Sequence, residues 1–201
     1  LKVTHYRNGD IIPNVTDSSE WQTITNGAYC EYDNDSTHVS IYGRLYNWYA
    51  VNDNRKIAPE GWHVASDEEW KQLEIHLGMS RSAADGTGWR GTDEGGKLKE
   101  AGFVHWKYPN VGATNEVGFS ALPGGYRGRY GDYHEIGNTT YYWTSTNYPM
   151  HYAWYRFLNY DSPGIGRQWF VNRTLGFSVR CVKPEVKALE ISPKDTTLYN
   201  E

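Results

Sequence analysis

Seven histidines and two cysteines are the side chains in this 201-residue chain best suited to metal or nucleophilic chemistry. Their spacing argues against both. His5, His38, His63, His76, His105, His134 and His151 form no HxH or HExxH pattern, the spacing that turns two imidazoles toward one ion. Cys30 and Cys181 lack the CxxC spacing of a redox or zinc pair. A bond between them would close a long loop and stabilise by roughly 4 to 5 kcal/mol on a chain-entropy argument. Two separate buried thiols are the equal alternative. No serine stands in a GxSxG setting. Asp132, His134 and Glu135 gather in GDYHEIG but read as a solvated loop, and GGYRGR (124–129) lacks the Lys-Ser/Thr ending of a phosphate loop. Asn115 and Glu116 offer oxygens, whereas a calcium ion needs about six to eight. No catalytic or metal-ligating residue is therefore assigned, and a structural calcium is the one cofactor left open.

Binding chemistry is better represented. Seventeen Tyr, nine Trp and five Phe make up 15% of the chain, and such amphipathic rings serve a core or a contact surface. Between residues 148 and 175 they sit in polar, turn-rich sequence, where exposed rings are costly unless they pack or meet a partner. Tyr148, Met150, His151, Tyr152, Trp154, Arg156, Asp161, Arg167, Trp169, Phe170 and Asn172 are the candidate ligand-binding residues. Tyr and Trp give contact area at low entropic cost. The competing reading folds Trp169 and Phe170 back as a satellite core. Trp48, Trp62, Trp70 and Trp143 are expected inside. The net charge of -4, with scattered basic residues, excludes a nucleic-acid groove. No apolar run approaches the ~20 residues of a membrane helix, so the chain reads as soluble, with any signal peptide or lipid anchor expected upstream of Leu1.

The elements that must hold these side chains form an α+β pattern. Ser66 followed by Glu69 is a capping box, Trp70, Leu73 and Leu77 recur at helical spacing, and Gly78 stands where a helix stops. A second helix is predicted over 96–101, after a glycine-rich loop at 85–96. Residues 1–35 read as short strands and turns, and 41–51 (IYGRLYNWYAV) as strand-like. Four later segments, 118–125, 141–148, 153–160 and 176–183, predict an antiparallel sheet. In the last of them Phe177, Val179 and Cys181 share one face, Ser178 and Arg180 the other.

The motifs YRNGDIIPNV (6–15), YGRLYNWYAV (42–51), APEGWHVASDEEW (58–70), ATNEVGFSALPGGYR (113–127), YYWTST (141–146) and GFSVRCVK (176–183) follow one another along the chain. Together they resemble the Fibrobacter succinogenes major paralogous domain family over 1–183. The resemblance implies an extracytoplasmic, often lipid-anchored protein of Bacteroidetes-like bacteria or their phages. It implies a fold similar to C-type lectins and the formylglycine-generating enzyme: two helices packed on short antiparallel sheets with long irregular loops. The enzyme's cysteine nucleophile does not carry over, because Cys181 falls on the core face of its strand. The Glu-Pro-Asn and Trp-Asn-Asp triplets of calcium-dependent lectins are absent too, Trp62 preceding His63 and Trp143 preceding Thr144. Proteins diversified by retroelements hold their variable positions before a GFR-like ending, and GFSVRCV resembles one. Residues 184–201 read as a linker and the first strand of a following immunoglobulin-like domain, or else as a strand docked on the main domain. The expectation is a non-enzymatic adhesin- or receptor-type module at the cell surface, binding a protein receptor or a glycan and no nucleic acid. The rivals are a structural module of a surface protein or pilus, and a divergent formylglycine-generating-type enzyme.

Overall fold

A computed structural model describes residues 1–149, 152–169 and 171–184. Its best-specified helix, counted fourth along the chain, begins at the capping box. Ser66 Oγ accepts from the Glu69 amide at 3.2 Å, and the Glu69 carboxylate accepts from the Ser66 amide at 2.8 Å. Helix α4, Asp67–His76, follows, with three acids in its first turn and His76 in its last, both favourable to the helix dipole. Gly78 leaves at φ +118°, a value costly for any side chain. The buried stripe of α4 is Asp67, Trp70 and Glu74. Helical spacing is kept, but two of its three members are carboxylates.

Ahead of α4 lie α1 (Ser18–Thr23), β1 (Tyr29–Cys30), α2 (Val39–Tyr42), β2 (Leu45–Tyr46), α3 (Trp48–Val51) and β3 (His63–Val64). The strand expected over 41–51 is thus two helical turns around a two-residue strand. Asn47 is the cause: its side-chain oxygen accepts from the Ala50 amide at 3.0 Å, capping α3, and from the Ala28 amide at 3.0 Å. A local side-chain cap overrides the β preference of the aromatic residues around it. Asp17 caps α1 in the same way, placing a helix where only strands and turns were predicted.

After α4 come α5 (Arg81–Asp85), β4 (Gly88–Arg90), α6 (Glu94–Leu98), β5 (Gly124–Arg127), β6 (Tyr133–Ile136), β7 (Thr139–Tyr148), β8 (Tyr152–Asn159), β9 (Ile165–Gln168), β10 (Ser178–Val179) and β11 (Cys181–Val182). The segment expected to be loop, 85–96, therefore holds a strand and the start of α6, and GDYHEIG is mostly strand β6. The main sheet runs β4-β9-β8-β7-β5-β6, with β10 also on β7. It is mixed rather than antiparallel, since β5 and β10 lie parallel to β7. Mixed α and β elements, mostly strands with short helices, are the observed class.

Trp48, Trp70 and Trp143 are buried as predicted, whereas Trp62 is 43% exposed. It closes a turn whose amide bonds back to Pro59, and its carbonyl accepts from Arg7. Cys30, buried in β1, and Cys181, half-buried in β11, are both free, so the disulfide alternative falls. Burial pushes both thiols up, Cys30 to about 11. Apart from Pro184, the predicted linker and immunoglobulin-like strand lie outside the described residues.

Candidate functional site

The β7–β8 hairpin carries most of the predicted site. Its lower part is regular, but the register slips between the pair Trp143–Tyr155 and the pair Asn147–Ala153. The bulge at 144–146 is pinned: Thr144 Oγ1 donates to the Trp154 carbonyl at 3.0 Å, and the Ser145 amide donates to Ala65 at 3.0 Å. Thr146 Oγ1 accepts the first amide of α4, that of Asp67, at 2.9 Å. Beyond the bulge the outer hairpin gathers four aromatic rings. Tyr148 stacks on Trp169 at 4.1 Å and 16°, and meets Trp154 edge-on at 5.3 Å. Tyr152 meets Trp169 at 5.7 Å. All four are half-buried, and none belongs to the three hydrophobic cores formed by the described residues. Arg173 braces the hairpin by donating to the Asn147 side chain and, at 3.3 Å, to the Tyr152 carbonyl.

Other predicted site residues stand elsewhere. Arg156 and Arg167 were expected on the display surface and are instead buried beneath α4 and α5. Arg156 donates to Glu74 at 2.6 Å and to Asp67 at 2.7 Å. Arg167 forks onto Asp67 at 2.9 and 2.8 Å, and its remaining donors reach the carbonyls of Asp85 and Gly86. Arg90 forks onto Glu74 at 2.7 and 2.9 Å. Burial alone would raise the Asp67 carboxyl, but the Arg167 and Arg156 guanidiniums outweigh it and hold the pKa at about 2. The reason for the inversion is strand parity: Arg156 shares its face with Leu158, and α4 covers that face with acids. Asp161 is exposed in the turn after β8, at the opposite end of that strand from Tyr152. Asn172 is exposed, with its side-chain oxygen accepting from the Thr174 amide and hydroxyl. Met150, His151 and Phe170 lie outside the described residues.

The opposite face of the sheet bears a feature the sequence reading missed. Trp89 pairs with Gly166, Gly166 with Phe157, and Phe157 with Tyr141, while Tyr126 pairs with His134. These registers make a single row across six strands. Its neighbouring rings lie 4.6 Å (Trp89–Phe157), 5.8 Å (Phe157–Tyr141), 4.9 Å (Tyr141–Tyr126) and 5.0 Å (Tyr126–His134) apart. Gly166 bears no side chain because the Phe157 ring lies over it, within 2.1 Å of where a Cβ would stand. Trp89 is 48% exposed and the other four rings are half-buried, with Phe157, Tyr141 and Tyr126 packed against a core that includes Phe177. His134 pairs with Asp132, and Glu135 beside it sits at φ +66°. The signal for this row was present as the alternation of Tyr155 and Phe157 against Arg156 and Leu158.

Among the described residues no three His, Cys, Asp or Glu side chains are grouped to hold a metal ion, and no helix is long and apolar enough to cross a membrane. A family model described as the Fibrobacter succinogenes major domain matches residues 1–183. No curated protein and no solved structure matches the chain.

Proposed function

The chain belongs to the Fibrobacter succinogenes major domain family, and from that premise we propose that it is an extracytoplasmic recognition module binding a protein receptor or glycan on a cell surface. The scaffold we propose is of the C-type-lectin type, a frame that presents side chains without catalysing a reaction. One observation carries the reading. Tyr148, Tyr152, Trp154 and Trp169 pack on one another at the hairpin's outer end and outside every core of the described residues. Rings held by mutual stacking above a pinned bulge are preorganised, and preorganised aromatic anchors lose little entropy on contact. Diversification by a retroelement would act on the same outer hairpin.

The test uses the double variant Tyr148→Ala, Trp169→Ala against a glycan array and intact bacterial cells. Tenfold or greater loss of binding, with the melting temperature within about 3 °C of the parent, is the expected result. A melting temperature that collapses while the parent binds neither probe would mark these rings as a packing device and leave the structural-module reading in possession.

A further inference from the structure

The aromatic row lies on the sheet face opposite α4, along the edge of a core that buries Trp143, Tyr155 and Phe177 on that same face, and it has chemically different ends. At β4, Trp89 meets Phe157 edge-on over the bare backbone of Gly166, which gives an apolar shelf. At β5 and β6, Tyr126 stands at 67° to Tyr141 and makes a corner, with Asp132 and Glu135 beside it. After burial, those two carboxylates are what raise the Tyr126 phenol. Elsewhere the protein covers its rings with its own cations. Arg127 lies over Trp21 at 4.4 Å, Arg173 over Trp48 at 4.4 Å and Arg167 over Trp154 at 3.5 Å. Among the described residues no Lys or Arg lies over Trp89, Phe157, Tyr141 or Tyr126. An aromatic corner flanked by acids, with His134 held by Asp132 but no Lys or Arg of the described residues over it, is complementary to a cation from outside.

We propose that this row is a second docking surface, distinct from the outer hairpin, and that its occupant is an extended basic peptide segment of a protein partner. An arginine of that segment stacks in the Tyr126–Tyr141 corner beside Glu135 and Asp132, and an apolar side chain rests on Trp89 and Phe157. Tyr126 and Trp89 are four strand spacings apart, about 19 Å at ~4.8 Å each. An extended chain covers that distance in about six residues at ~3.3 Å each. The segment therefore carries its arginine and its apolar residue about six positions apart.

The probe is a fluorescent eight-residue peptide with arginine near one end, leucine near the other and Gly-Ser between, titrated into the full chain by anisotropy. Saturable binding is expected, weakened at least tenfold by Glu135→Gln combined with Asp132→Asn, by replacing the peptide arginine with glutamate, and by raised salt. Trp89→Ala weakens it less, and the Tyr148→Ala, Trp169→Ala variant leaves it unchanged, so this surface and the outer hairpin stand or fall separately. Because Glu135 and Asp132 are on the surface, their variants keep the test open where Tyr126→Ala disturbs folding. Equal binding of the glutamate peptide, or none up to millimolar concentration, overturns the proposal. So does a linear oligosaccharide whose binding is lost in Trp89→Ala while the peptide fails to bind.

Discussion

Arg156 and Phe157 are adjacent in β8 and face opposite sides of one sheet. Arg156 is fully buried with Arg167 and Arg90, against Asp67 and Glu74, while Phe157 lies half-buried in a row that ends at an exposed Trp89. One side buries charge against α4; the other buries the aromatic core of Trp143, Tyr155 and Phe177, whose margin reaches solvent only toward Trp89. The covered face tolerates its buried charge because each carboxylate meets two guanidiniums at hydrogen-bond distance. The network is complete but for Arg90 Nε, which has no partner, and so offsets much of the desolvation cost, whereas a broken one leaves a charge stranded. The aromatic face has no such all-or-none character. Its rings lose contact area gradually, and their stability comes from packing on Phe177 and on each other. One face is thus held by a charge network, the other by graded packing of rings.

The sharpest way to break this contrast is Glu74→Gln. It strips a partner from both Arg90 and Arg156 and is expected to cost about 3 to 5 kcal/mol in urea denaturation. A loss under ~1 kcal/mol would mean that the guanidiniums find other acceptors and that the covered face is not a network. Acid is the next lever. Asp67 has a folded pKa of about 2 against 3.8 for the free side chain, so its contribution is full above about pH 4 and disappears as pH falls through about 2. On the order of 2 kcal/mol is at stake. Asp67→Asn is expected to flatten that acid limb, and an unchanged limb would assign the loss to other carboxylates. The smallest effect belongs to the exposed end of the aromatic row: Trp89→Ala is expected to cost about 1 kcal/mol or less. A cost matching that of Glu74→Gln would extend the core out to Trp89 and erase the distinction.

The sequence made some of this legible and hid the rest for physical reasons. Ser66 and Glu69 announce α4 because a capping box is local, its partners three residues apart. Asn47 is equally local, but its cap sits inside an aromatic run whose β preference masks it. Alternation in β8 correctly separates Arg156 from Phe157, yet parity does not say which side a helix will cover. The expectation that charge faces out placed Arg156 and Arg167 on the wrong side. Strands β4 and β9 are three and four residues long and contain glycine, too little to carry a period. The aromatic row is assembled from six separate strands and has no linear signature. Tyr148, Tyr152 and Trp154 were legible as a group because they flank one hairpin, whereas Trp169, just past β9, joins them only through the pairing of β8 with β9. Asp161 was not separable from them, since only the strand between shows that it lies at the other end.

The bulge at 144–146 has one more consequence. Because Ser145 and Thr146 fasten the hairpin to Ala65 and to the start of α4, the clamp sits below the outer turn instead of within it. Residues inserted or deleted between β7 and β8 would change the ring-closure entropy by only about 0.6 kcal/mol per doubling of loop length. They would leave the register beneath untouched. The hairpin can therefore vary in reach as well as in side-chain identity, so descendants of this frame are free to differ in how far they extend.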